Sequence, residues 1–260
     1  MAIQIKKEGK MRTLKIFLIV SFCSTLLVIG CSKKGEEKKE ATKQTEGGTI
    51  TGLVYFPGEY PEPQKILINQ DQHICGAFQY SEDFVVNEEN KGLANVVISL
   101  ANVTNGVPPQ SETSHATIDQ NGCRYVPHVQ AVPVGTQLEV LNSDGILHNV
   151  HVYLNSIDPA NEVLNKAQPA FLKKVEITLD KKGVYYFKCD IHEHMNAYIV
   201  TFDHPYFTVT DSTGHFKLEN VPPGNYTVQA WHEVLGNLEK QVTVTKGQTS
   251  EVTFEILPNE

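Results

Sequence analysis

Apolar residues recur along this chain in short alternating runs: "TITGLVYF" (49–56), "ANVVISL" (94–100), "QLEVLN" (137–142), "HNVHVYL" (148–154), "KKVEITL" (173–179), "GVYYFKC" (183–189), "AYIVTF" (197–202), "YFTVT" (206–210), "HFKLENV" (215–221), "NYTVQAWH" (225–232), "KQVTVT" (240–245) and "EVTFEIL" (251–257). Period-two alternation sends successive side chains to opposite faces of a strand. Short strands regularly separated by Gly, Pro, Asn and Asp predict antiparallel sandwiches or barrels, so the expected fold class is all-β. Helical periodicity is nearly absent. One stretch, "DPANEVLNKAQPA" (158–170), predicts a brief helix with Pro159 at its first position after Asp158.

The first 46 residues break the pattern. "MRTLKIFLIVSFCSTLLVIGC" opens at Met11 with basic residues and runs through an apolar stretch to small residues before Cys31. This is a secretory signal, too short and wrongly flanked for a spanning helix, and Met11 is a candidate true start. Its ending "VIGC" resembles a bacterial lipobox, which implies cleavage after residue 30, lipidation of Cys31 and anchoring on the periplasmic side of the envelope. Plain secretion with cleavage elsewhere is the alternative. Residues 31–46 have no large apolar side chain and predict a disordered tether.

The tether masks the charge of the rest. The whole chain has 22 Lys and Arg against 30 Asp and Glu; the first 46 residues hold 10 and 5 of these, which leaves 12 against 25 from residue 47 onward, near −13. Such an acidic body repels nucleic acid and favours encounter with a basic partner, although the charge could also serve solubility alone.

Of the five cysteines, Cys23 leaves with the signal and Cys31 carries lipid. Exported thiols tend to pair. Cys189 has metal-binding neighbours, so Cys75 and Cys123 are expected to form a disulfide. No Cys-x-x-Cys-His occurs, which argues against covalent haem.

"VTDSTGHFKLENVPPGNYTVQAWH" (209–232) is similar to the carboxypeptidase regulatory-like domains, which are prealbumin-type β-sandwiches. Such a domain normally opens with two earlier strands that residues 206–260 lack, but "GGTITGLVYFPG" (47–58) and "GLANVVISL" (92–100) resemble them. The expected organisation is therefore discontinuous: 47–110 and 206–260 as two parts of one sandwich, with a separate domain, 111–205, inserted between. Three consecutive domains are the alternative, which would leave an exposed strand edge at the C-terminus.

Within 111–205 the candidate chemistry is concentrated. In "GVYYFKC", Tyr185, Phe187 and Cys189 share the apolar face, and the turn before the next strand carries His192 and Met195 in "CDIHEHM". In "NSDGILHNVHVYL", His148 heads the face shared by Val150, Val152 and Leu154. Two imidazoles, a thiolate and a weak thioether suit one copper ion, Cu(I)/Cu(II), whereas zinc prefers four strong ligands. Met195 is the discriminating residue, although taken singly a methionine here could be core filler.

Residues 138–154 and 183–202 resemble the cupredoxins of the plastocyanin and azurin family, and the two-residue gaps of the ligand loop are most similar to amicyanin. The resemblance implies a Greek-key sandwich with copper on His148, Cys189, His192 and Met195, and Asn149 hydrogen-bonding the cysteine loop. One departure is that Glu193 and His194 stand where amicyanin-like loops place proline and an aromatic. His151 is expected on the opposite face as a structural histidine; His194 is expected exposed beside the site as a route for electrons or protons, with competition as a ligand the alternative; His73, His115, His128, His204, His215 and His232 show no ligand spacing.

The implied function is single-electron transfer between envelope redox partners, one of them a basic protein such as a cytochrome, and not an enzyme. Copper binding and delivery is the alternative. Binding of carbohydrate or another envelope protein by the prealbumin-like sandwich ranks last as the main function, because no aromatic platform surrounds Trp231.

Overall fold

A computed structural model describes residues 47–101, 103 and 114–257 of the chain. The signal, the tether and Cys31 lie outside the described residues.

Before residue 114 the elements are β1 (Gly48–Tyr55), β2 (Lys65–Leu67), the one-turn helix α1 (Gln72–Cys75), β3 (Phe78–Tyr80) and β4 (Val97–Ala101). Then come β5 (His115–Gln120), β6 (Tyr125–Val126), β7 (Val129–Pro133), β8 (Thr136–Asn142), β9 (His148–Leu154), β10 (Glu162–Gln168), β11 (Lys174–Leu179), β12 (Gly183–Lys188) and β13 (Asn196–Phe202). The chain closes with β14 (Phe207–Val209), β15 (His215–Val221), β16 (Gly224–His232), β17 (Gly236–Val244) and β18 (Thr249–Glu255). The fold is all-β, as the alternation predicts. Among the described residues no helix is long and apolar enough to cross a membrane.

Strand pairing sorts these elements into two sandwiches. In the first, the sheet β15-β1-β18 faces β14-β4-β16-β17 over a core that includes Ile50, Val54, Leu93, Ile98, Phe216, Val228 and Phe254. β1 is central, antiparallel to β15 and parallel to β18. Gly52 makes that possible, since a Cβ there would lie 1.9 Å from the Val252 carbonyl and 2.3 Å from the Phe216 ring. In the second, β10-β9-β12-β13-β7 faces β11-β8-β5-β6 over Ile118, Leu138, Val140, Val150, Val152, Tyr185, Phe187 and Ile199. The chain thus leaves the first sandwich after β4, builds the second from β5 to β13, and returns at β14.

β13 serves both bodies. Ala197 and Ile199 face the second core, while Val200 and Phe202 pack with Val97 and Val129 in a separate cluster bordered by Tyr198, Phe207 and Trp231. Trp231 therefore lies against the second sandwich, 5.6 Å from the Tyr198 ring.

Two local expectations need correction. Only Pro159–Asn161 forms a helical turn, a 3-10 turn in which Asp158 accepts from the Ala160 N–H at 2.8 Å. The following Glu162–Gln168 is the edge strand β10, antiparallel to β9. In addition, the segment around β2, α1 and β3 leaves the first sandwich and covers one end of the second, where Ile68 and Cys75 join the core. Gln79 Nε2 donates to the Gly122 carbonyl at 2.7 Å and Arg124 to the Tyr80 carbonyl at 2.8 Å, fixing this cover.

Candidate metal centre

His148 opens β9, Cys189 directly follows β12, and Met195 directly precedes β13, so the start of β9 and the turn between β12 and β13, distant in sequence, meet at one end of the second sandwich. The pairing of Phe187 with Val152 and Lys188 with His151 sets Cys189 beside the start of β9. The turn between β12 and β13 is closed by its own backbone: Cys189 N–H donates to the Met195 carbonyl at 3.2 Å, and Met195 N–H to the His192 carbonyl at 2.8 Å. That turn directs Cys189 and His192 inward.

His148 Nδ1 lies 3.9 Å from Cys189 Sγ, His192 Nδ1 lies 3.9 Å from the same sulfur, and the two nitrogens are 3.1 Å apart. All three residues are buried, as is Met195. Within this triangle, one point in its plane is about 2.0 Å from each nitrogen and about 2.3 Å from the sulfur, ordinary lengths for imidazole and thiolate bonds to a late transition metal. The donor set fits a soft ion without rearrangement.

Each ring is oriented from outside. His148 Nε2 contacts Asp144 Oδ2 at 2.9 Å, and Asp144 also accepts from the Gly122 and Cys123 N–H groups at 2.5 and 2.9 Å. His192 Nε2 contacts Asp71 Oδ2 at 3.1 Å. A carboxylate on the outer nitrogen fixes tautomer and ring angle and makes the inner nitrogen a better donor. Asn149 holds the thiol: its N–H donates to Sγ at 3.4 Å, its Oδ1 accepts from Asp190 N–H at 3.1 Å, and its Nδ2 donates to Asn165 at 2.8 Å.

The electrostatics follow. Burial pushes His148 down, but its bond to Asp144 and its contact with Cys189 outweigh that and raise it to about 9. Burial would raise the Cys189 thiol, yet the His148 ring and the N–H groups of His192, Asn149 and Ile191 bring it below its ordinary value. His192 is lowered, chiefly by burial, with Asp71 only partly offsetting it. Burial would likewise raise Asp144, but His148 and the two N–H groups hold it low.

Cys75 and Cys123 form a disulfide that joins α1 to the second sandwich, leaving Cys189 as the free thiol of the described residues. His151 is buried on the far side of β9, between Asp190 at 2.8 Å and Glu162 at 2.9 Å, outside the triangle. His194 differs from the expectation of exposure: it is half-buried, its Nε2 3.1 Å from the Cys123 carbonyl. The cover provided by β2 and β3 encloses it. Sequence reasoning missed the two outer carboxylates. Asp144 stands four residues before His148 and could have been read from that spacing; Asp71 is 121 residues from its partner and gave no local sign.

Residues 195–257 match the family model of the carboxypeptidase regulatory-like domain. The matched stretch takes in β13, which belongs to the second sandwich, and omits β1 and β4 of the first. No curated protein matches the chain. Among solved structures, an amicyanin in its Cu(I) form is 15% identical with a TM-score of 0.30, covering 40% of this chain and 98% of its own. Amicyanin from Paracoccus versutus is 14% identical at a TM-score of 0.30, covering 40% of this chain and 97% of its own. A Cu-containing nitrite reductase from Thermus scotoductus is 22% identical at a TM-score of 0.28, covering 35% of this chain and 23% of its own.

Proposed function

We propose that this chain is a type 1 copper protein, tethered through lipidated Cys31 on the periplasmic side of the envelope, that carries single electrons between protein partners. The supporting observation is the buried triangle of His148 Nδ1, Cys189 Sγ and His192 Nδ1 with its 3.9, 3.9 and 3.1 Å sides. His148, Cys189 and His192 would hold the ion, with Met195 as the weak fourth donor. Bound copper supplies a one-electron change between Cu(I) and Cu(II).

The protein's part is to keep the donors fixed. Asn149 locks the thiol, Asp144 and Asp71 lock the rings, and burial excludes water. His192 is the donor nearest solvent, because Asp71 on its outer nitrogen is 35% exposed. Electrons would therefore pass through that edge. With all four donors supplied by the chain, this is a carrier and not an enzyme.

The acidic body points to a basic redox partner such as a cytochrome. Transfer to such a partner should slow as ionic strength rises; a rate independent of salt would argue against electrostatic docking. The copper assignment itself is tested by copper-loaded protein, which should absorb strongly at about 600 nm. Delivery of copper is a second reading, favoured by the sulfur pair beside His192 described below. A carrier keeps its ion through redox cycling, while a delivery protein yields it to a mild chelator.

A further inference from the structure

The disulfide does more than join two segments. Cys75 Sγ, Cys123 Sγ and a ring nitrogen of His192 lie within 4.8 Å of one another, and Cys123 Sγ, an Asp144 oxygen and a ring nitrogen of His148 form a second group of the same size. Both sulfurs are buried, at 4% and 0% exposure. The Cys123 sulfur thus lies close to both the imidazoles that face Cys189, and the Cys75 sulfur close to that of His192.

Two residues here hold left-handed backbone without being glycine: Asp71, which meets His192, has φ 50°, and Cys123 has φ 54°. Such conformations cost energy and collect at functional sites. The segment bearing Cys75 is built of two three-residue strands and one helical turn. Beside it, a cleft of about 240 Å³ is lined by Ile66, Ile68, Asp190, His192 and His194.

We propose that Cys75 and Cys123, as a dithiol, form with His192 a second soft-metal position that takes Cu(I), and that the disulfide closes it. Opening breaks the S–S bond: the pair takes two electrons and two protons from a dithiol reductant, which becomes a disulfide. Cu(I) then displaces three protons to solvent, the two thiol protons and the one His192 Nε2 shares with Asp71, and is held by two thiolates and that ring nitrogen while Nδ1 stays with the first ion. The position rests on the copper reading only for the choice of ion.

The test is Cu(I) stoichiometry in the mature chain carrying Cys31→Ser, whose only cysteines are Cys75, Cys123 and Cys189. Anaerobic titration against bathocuproine disulfonate, before and after reduction by a phosphine, should give one ion per oxidised chain and two per reduced chain. Cys75→Ser should stay at one under both conditions. Cys189→Ser should take one ion only when reduced, which separates this position from the first. Copper-edge X-ray absorption of the reduced wild type should show added sulfur neighbours, a readout that needs no variant. A reduced wild-type chain that takes one ion, as the oxidised chain does, overturns the proposal. Failure of the oxidised chain to take any ion overturns the function proposed above instead.

Discussion

His148 and His192 approach each other through their Nδ1 atoms, 3.1 Å apart, while each turns its Nε2 to a carboxylate. Two ring nitrogens that close cannot both carry a hydrogen. Without metal one must donate to the other; a cation in the triangle satisfies both together with the thiolate.

The two carboxylates should not matter equally. Asp144 is almost buried, with a side-chain exposure of 3%, whereas that of Asp71 is 35%. Water can replace Asp71 but not Asp144. Asp144→Ala should weaken metal binding by roughly 10- to 100-fold, the usual cost of losing such a partner, and Asp71→Ala by less. Chelator competition on both variants decides this; equal losses would show that exposure does not set the contribution.

His148 imposes a pH dependence on the metal-free protein. Its folded pKa of about 9 lies above the ordinary 6.5, so its contribution to stability is complete below about 6.5 and disappears as pH rises through about 9. The metal must displace that proton. Apparent affinity should therefore climb with pH, by up to about tenfold per unit, and level off near 9. Competition titrations from pH 6 to 9, corrected for the chelator's own protonation, would contradict this if affinity were flat above 7.

Asn149→Ala removes the acceptor for Asp190 N–H and the donor to Asn165. Asp190 is exposed and that bond only partly buried, so water can reach the freed N–H and the loss should be about 1 kcal/mol, the low end for an unpartnered group. Urea unfolding of metal-free protein should show that loss, and the variant should also release its metal faster. Unchanged stability would mean that the Cys189 loop is held by its own backbone bonds alone.

Cys189→Ser should abolish colour but keep the fold, because the second core extends through Val150, Val152, Tyr185, Phe187 and Ile199 without it. Far-ultraviolet circular dichroism should match wild type. A disordered variant would make the thiol a folding requirement.

The fold class was legible because most strands bury one face, and their alternation survives in the sequence. β10 was not: its burial is almost nil until Gln168, so it carries no apolar alternation, and the Asp158-Pro159 start resembled a helix opening. β5 offers one large core residue, Ile118, and β6 only two residues in all, so neither rose above the background. Cys189, His192 and Met195 were legible because a single hairpin turn carries all three. Asp71 was not, since its position depends on a short cover folding back from another part of the chain, a tertiary fact with no periodic trace. The same cover encloses His194.

The most direct test of the metal assignment is the absorption and paramagnetic resonance spectrum of the oxidised, copper-loaded chain. A thiolate in a trigonal set with two imidazoles predicts an intense band at about 600 nm and a narrow copper hyperfine splitting. A pale solution with the wide splitting of square-planar copper would contradict it.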